Sequence, residues 1–232
     1  MRQLPVISEK ELRRALKQYF GFSKFRANQK EVVEALLGGS DAFVSMPTGG
    51  GKSLCYQLAG LLMEGLTVVV SPLIALMQDQ VGAAQELGLA AAFLNSSMNE
   101  QEIRAVYRRL HAGQIKLLYI SPERFASHKF RTRLKEFEPG LCVIDEAHCI
   151  SEWGHDFRPD YLELSKIRRE FPGCRIAAFT ATATRTVQSD ILKKLKMKDP
   201  FVVRASFDGH ELLYRGLRKE DVVDQILACV QG

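Results

Sequence analysis

Seven short apolar runs recur from residue 41 onward, and their internal pattern is what most restricts the fold. They are DAFVSM (41–46), LTVVVSP (66–72), LAAAFLN (89–95), KLLYISP (116–122), LCVIDE (141–146), RIAAFTAT (175–182) and FVVRAS (201–206). The middle of most runs is apolar at successive positions instead of at every second one. A strand with only one buried face alternates; a strand covered on both faces does not. Helical signals fill the gaps at 53–63, 75–87, 99–110 and 184–195. Strands alternating with helices predict an α/β, doubly wound, mostly parallel sheet with helices on both faces, joined by right-handed crossovers. Ahead of the first run, Ser8 followed by Glu11 reads as a capping box opening a helix over 9–19, and a second helix is expected over 28–37, stopped at Gly38-Gly39.

Two of the runs end in residues with chemical consequence. The first leads into MPTGGGKS (46–53), between a strand and a helix. Thr48, Gly49, Gly50 and Gly51 let the backbone curl so that its N–H groups and the helix N-terminus face phosphates. Lys52 adds a positive charge, and Ser53 offers a hydroxyl to Mg²⁺. The strict phosphate-loop pattern has glycine where this chain has Met46. The fifth run ends in VIDEAH (143–148), which sets Asp145 and Glu146 at the carboxyl end of a core strand, the edge where open α/β sheets bind ligands. Asp145 can hold Mg²⁺ through water and Glu146 can polarise an attacking water. An acid pair at a strand end is common by itself; beside a phosphate loop it supplies the metal holder that phosphoryl transfer requires. Adjacent His148 and Cys149 have no second ligand pair, so no zinc site is expected.

With their flanking segments these motifs resemble the first motor domain of the RecQ DNA helicases, a DEAH-box family of superfamily 2, over nearly the whole chain from Phe20 to about Tyr214. That resemblance implies a RecA-like P-loop domain, in which MPTGGGKS with its methionine is the usual form. YFGFSKFRANQKEV resembles motif 0, which implies that Phe22 and Arg26 sandwich adenine while Gln29 reads its edge. SPLIALMQDQ resembles motif Ia and YISPERF motif Ib, implying DNA-backbone contacts by Ser71, Ser121 and Arg124. SEWGHDFRPDY (151–161) resembles the family's aromatic-rich loop, which implies DNA contact and coupling by Trp153, His155, Phe157 and Arg158. FTATAT resembles motif III, with Thr180 and Thr182 linking the acids to motion of a second domain. The chain reads SFDGHE at 206–211 where the family usually has SFDRPN.

The resemblance implies ATP and Mg²⁺ as cofactors, Lys52, Asp145 and Glu146 as catalytic residues, single-stranded and partly duplex DNA as partner, and 3′ to 5′ unwinding. It divides the chain into an N-terminal helical arm (1–40), a RecA-like domain (41–206) and the start of a connection (207–232) to a second RecA-like domain. A polar strand ELLYRGLRK and a helix over 221–230 are expected in that last part. The family's cleft lies between two such domains, so the 232 residues are expected to hydrolyse weakly and not to unwind duplex by themselves. Two other readings stay open: a short non-catalytic module binding nucleic acid or protein, and another DEAH or DEAD ATPase acting on RNA, against which the WGHDFRPDY loop argues.

Composition adds bounds. A formal charge of +5, from 32 Lys+Arg against 27 Asp+Glu, permits a polyanionic partner without demonstrating one. The five cysteines, at 55, 142, 149, 174 and 229, form no CxxC pair, so reduced and mostly buried thiols are expected. No apolar run approaches the roughly 18 residues a membrane span needs, and the charged start is unlike a signal peptide; an intracellular protein is expected.

Overall fold

The structure is a computed structural model and describes residues 7–205; the strand and helix expected beyond 206, and the SFDGHE segment, lie outside the described residues. The chain opens with helices α1 (Glu9–Phe20) and α2 (Gln29–Leu37). The capping box forms as expected: the Ser8 hydroxyl accepts from the Glu11 backbone N–H, and the Glu11 carboxylate accepts from the Ser8 N–H at 2.8 Å. Gly21 closes α1 in the left-handed conformation, φ 74°, which a side chain would strain.

All seven apolar runs are strands: β1 (Ala42–Ser45), β2 (Leu66–Val70), β3 (Ala91–Leu94), β4 (Leu117–Ile120), β5 (Pro139–Ile144), β6 (Arg175–Thr180) and β7 (Phe201–Arg204). They form one sheet in the order β3-β4-β2-β5-β6-β1-β7. Every pairing in it is parallel. Successive residues of a strand enter opposite cores, which is why the runs do not alternate. Val44, Val69, Tyr119, Val143 and Phe179 join a core with α1, α2, α3 (Lys52–Leu62) and α4 (Ile74–Glu86). Phe43, Val68, Val70, Leu118, Ile144 and Ala178 join the other, which takes Val106 and Leu110 from α5 (Glu100–His111).

Between β4 and β7 lie pieces with no helical periodicity in the sequence: α6 (Pro122–Ala126), α7 (His128–Leu134), a 3₁₀ turn at Ala147–Ile150, a 3₁₀ segment at Pro159–Lys166 and α8 (Ile167–Glu170), followed by α9 (Arg185–Lys194). Elements of four to eight residues are too short to show a stripe, and a polar residue organises several of them. Arg131, 3 % exposed, donates to the carbonyls of Phe125 and Ala126 and pairs with Glu163 and Glu170 at 3.3 and 3.1 Å. It thereby ties α7 to the segment that follows the aromatic loop. Among the described residues four cysteines are free and buried, and no helix is long and apolar enough to cross a membrane.

Candidate functional site

Strand order brings the motifs together. β6 lies between β5 and β1, so the ends of these three strands present the Asp145-Glu146 acids, the threonines and the glycine loop side by side at the carboxyl edge. Backbone bonds continue past the strands there: Met46 N–H donates to Thr180 O at 3.1 Å and Asp145 N–H to Val70 O at 2.9 Å.

The loop fits a phosphate group. Gly49 and Gly51 hold φ of 80° and 79°, and Gly51 is the N-cap of α3, with no side chain capping the helix amides. Its first N–H groups are thus left to an anion, and the helix dipole favours one. Lys52 folds back on the loop, its Nζ donating to Met46 O at 3.1 Å, carbonyls it can exchange for phosphate oxygens. A Cβ at Gly51 would come within 2.2 Å of Gln29 Nε2. Gln29 is 3 % exposed and its amide is fully engaged: Oε1 accepts from Arg26 N–H at 2.8 Å, and Nε2 donates to Gly50 O and Gly51 O at 3.3 and 3.4 Å. Arg26 Nη1 donates to Gly49 O at 2.6 Å. The motif that the resemblance assigns to adenine is therefore fastened to the loop's carbonyls, while Phe22 is 53 % exposed beside it. Reading a base edge requires Gln29 to release the loop, a linkage that spacing alone could not disclose.

The acids differ sharply. Asp145 is 4 % exposed, and burial, followed by the neighbouring Glu146 charge, pushes its carboxyl up to about 6, against the pull of Lys52. Gln80 donates to it and in turn accepts from the Tyr56 hydroxyl at 3.2 Å. Because the folded protein holds this proton more tightly than the unfolded chain, this group lowers stability as pH rises from 3.8 to about 6 and leaves the penalty in full at neutral pH. The shift corresponds to about 3 kcal/mol. Asp145→Asn, which keeps the shape and the acceptor, is thus expected to raise the unfolding free energy at pH 7.5 without metal by about 1–3 kcal/mol. Thermal denaturation of the two proteins checks this; an unchanged or lower midpoint contradicts it. A divalent cation would relieve the same penalty, so the buried carboxylate suits one.

Glu146 sits at φ 47° on the turn after β5. The His148 side chain, chiefly, holds its carboxyl below the usual range, so it is ionised at neutral pH. His148 Nδ1 lies 3.3 Å from Glu146 Oε2 and 3.0 Å from Thr180 Oγ1, while Thr180 donates its own proton to Thr182 O at 3.0 Å. A carboxylate and an already donating hydroxyl can only accept, so Nδ1 carries the proton. One polar chain thereby joins Glu146, His148, Thr180 and Thr182.

The aromatic loop is anchored to these acids. Its His155 ring stacks on His148 at 4.1 Å, and the Tyr161 hydroxyl donates to Asp145 O at 3.0 Å. Arg158 pairs with Asp156 and donates to Pro72 O at 3.1 Å. A Cβ at Gly154 would meet His148 O at 2.4 Å, so the loop lies directly on the DEAH turn. Phe157 sits under Lys194, and Trp153 is 74 % exposed. His148, Cys149 and Asp156 come within 4.8 Å of one another; Arg158 occupies Asp156, and burial, then Asp156, pushes the Cys149 thiol up to about 12, so the thiolate that zinc needs is disfavoured. Ser71 and Ser121 are 0 % and 2 % exposed, their hydroxyls without a hydrogen-bond partner among the described residues, whereas Arg124 donates to Asn95 O. Gln80 and Tyr161 carry no signal of their own in the sequence, and only the packing turns them toward Asp145.

A family model for the DEAD/DEAH box helicase matches residues 26–190. The ATP-dependent DNA helicase RecQ of Haemophilus influenzae is 45 % identical over 215 residues, covering 93 % of this chain and 35 % of the relative. The probable ATP-dependent DNA helicase RecS of Bacillus subtilis is 45 % identical over 222 residues, covering 95 % of this chain and 44 % of the relative. The chain thus spans about a third to somewhat under half of the length of these relatives. Among solved structures, that of a hypothetical ATP-dependent RNA helicase from Sulfolobus tokodaii aligns with a TM-score of 0.62 at 18 % identity, over 84 % of this chain and 57 % of that one, a likeness of fold alone. With the glycine loop, the DEAH turn and the sheet that joins them in place, the chain belongs to the DEAD/DEAH box helicase family, with RecQ helicases as its relatives.

Proposed function

We propose that this chain is the first motor domain of a RecQ-type 3′ to 5′ DNA helicase, which binds ATP with Mg²⁺ and couples hydrolysis to DNA unwinding together with a second RecA-like domain. The observation that carries this reading is the junction of the glycine loop with the DEAH turn at one sheet edge: Met46 N–H donates to Thr180 O, and Thr180 Oγ1 meets His148, which faces Glu146. The amides of the glycine loop and the start of α3 receive the phosphates. Lys52 leaves the carbonyls of Met46 and Pro47 for the terminal phosphates. Ser53 and Asp145 hold the cation, which when bound neutralises charge on the phosphate oxygens. Glu146, oriented by His148, takes the proton of the attacking water. Phe22, Arg26 and Gln29 receive adenine. Thr180 and Thr182 connect the acids to the second domain, and Arg124 and the aromatic loop face the DNA strand, whereas the buried Ser71 and Ser121 hydroxyls reach it only if the segments over them move. Residues 1–40 form the adenine arm, 41–206 the motor domain and 207–232 the connection.

Lys52→Ala tests the nucleotide site directly. A charged hydrogen bond contributes about 1.5–3 kcal/mol, so affinity for a fluorescent ATP analogue is expected to fall about ten- to a hundredfold. Unchanged affinity removes the assignment.

A further inference from the structure

Ser53 and Asp145 come from different elements, the first turn of α3 and the residue after β5, yet a row of packed side chains joins them. Tyr56 lies three residues on from Ser53 along α3, on the same face of the helix. It is fully buried, its ring set edge-on to that of Phe179 with centroids 5.3 Å apart. Its hydroxyl bonds Gln80 of α4 at 3.2 Å, and also the side chains of Ser53 and Tyr119. Gln80 in turn bonds the Asp145 carboxylate. The acid sets the direction of these bonds. An ionised carboxylate can only accept, so Gln80 turns Nε2 to Asp145 and Oε1 to Tyr56; Tyr56 then spends its single proton on Gln80 and can only accept from Ser53. The donor chain thus runs from Ser53 through Tyr56 and Gln80 to Asp145. Its two ends keep what a hard cation takes: lone pairs on the serine oxygen, and those lone pairs of the carboxylate that Gln80 and the Glu146 N–H, 3.1 Å from Oδ1, leave free. An amide suits this place because it orients the carboxylate without the positive charge by which a lysine or arginine would compete with the cation.

We propose that Gln80, held in one orientation by Tyr56, is a positioning residue that sets Asp145 for the divalent cation and ties it to Ser53. The proposal rests on the motor reading, in which Ser53 and Asp145 hold Mg²⁺, and it brings α4 into the cation site. Hydrogen-bond partners behind the ligands of a metal commonly change its affinity about 10- to 100-fold, and that is the size of effect expected here.

The test is binding of a fluorescent ATP analogue to the 232-residue chain while Mg²⁺ is titrated from metal-free buffer. Gln80→Met keeps the length of the side chain and loses its donor. It is expected to need about 10- to 100-fold more Mg²⁺ for half of the tightening that the cation brings, with affinity for the analogue unchanged when metal is absent. Tyr56→Phe, which removes one hydroxyl from a buried ring, is expected to shift the Mg²⁺ requirement the same way by less, since the amide is then free to turn over. If Gln80→Met needs no more Mg²⁺ than the wild type, the proposal falls. It falls equally if the variant loses affinity to the same extent with and without the cation, as a residue that only supports the fold would. Should Gln80→Met not fold, Tyr56→Phe decides by the same measure. Asp145→Asn separates the proposal from the reading beneath it: this variant is expected to lose the Mg²⁺ effect, and if it keeps the effect, or if the wild type shows none, Asp145 does not hold the cation and the reading itself is overturned.

Discussion

The 232-residue chain is expected to turn over ATP about 10³- to 10⁵-fold more slowly than the same chain joined to a second RecA-like domain that supplies an arginine to the transferring phosphoryl group. The expectation follows from what the site holds. Its acids, glycine loop and lysine all belong to one sheet edge and approach a nucleotide from one side. The guanidiniums near it are engaged: Arg26 with Gly49 O, and Arg158 with Asp156 and Pro72 O. Charge building on the equatorial oxygens in the transition state therefore meets Lys52 and the cation but no free guanidinium from these two residues. ATP turnover, with and without single-stranded DNA, measured on this chain and on its fusion to the second domain of a RecQ relative, reads the difference. Robust duplex unwinding by the 232-residue chain alone would contradict both this expectation and the division of labour behind it.

In that two-domain protein, Glu146→Gln is expected to lower turnover by roughly 10²–10⁴, the range for loss of a positioned general base, with nucleotide affinity changed only a few-fold. On the proposed reading Glu146 faces the water and Lys52 the phosphates, so the two readouts separate. Glutamine keeps the size and can still accept from His148 Nδ1, so the chain through Thr180 and Thr182 survives while the base is gone. A fall in affinity as large as the fall in turnover would instead mean that Glu146 holds the cation. Equal turnover in the two proteins would remove it from the chemistry.

Much of this was legible before any coordinates. Continuous apolar runs are a direct imprint of burial on both faces, and all seven became parallel strands. The capping box at Ser8 and Glu11 is local, since its two hydrogen bonds join residues three apart, and it formed as read. The glycine loop and the acids are equally local signals, because a positive φ and a strand end are properties of a few consecutive residues. What could not be read is whatever depends on residues distant in the chain. Nothing in the sequence says that Gln29 spends its amide on the carbonyls of Gly50 and Gly51, or that Gln80 and Tyr161 reach Asp145. The short helices between β4 and α9 were missed because Arg131, through partners up to 39 residues away, organises several of them.

The sequence by itself determined the sheet, its two covered faces and the positions of the glycine loop and acid pair, because these follow from side-chain periodicity and from backbone freedom at glycine. Only the tertiary structure decided which strand ends adjoin, and with them the chemistry. Placing β6 beside β5 set Thr180 against His148, and the assembled sheet buried Asp145 deeply enough to lift its carboxyl to about 6. The physical reason is that solvent exclusion and the contacts from Thr180 and Gln80 are properties of the assembled sheet edge, made by elements more than 30 residues apart, whereas the closeness of Glu146 to Asp145 and His148 is local.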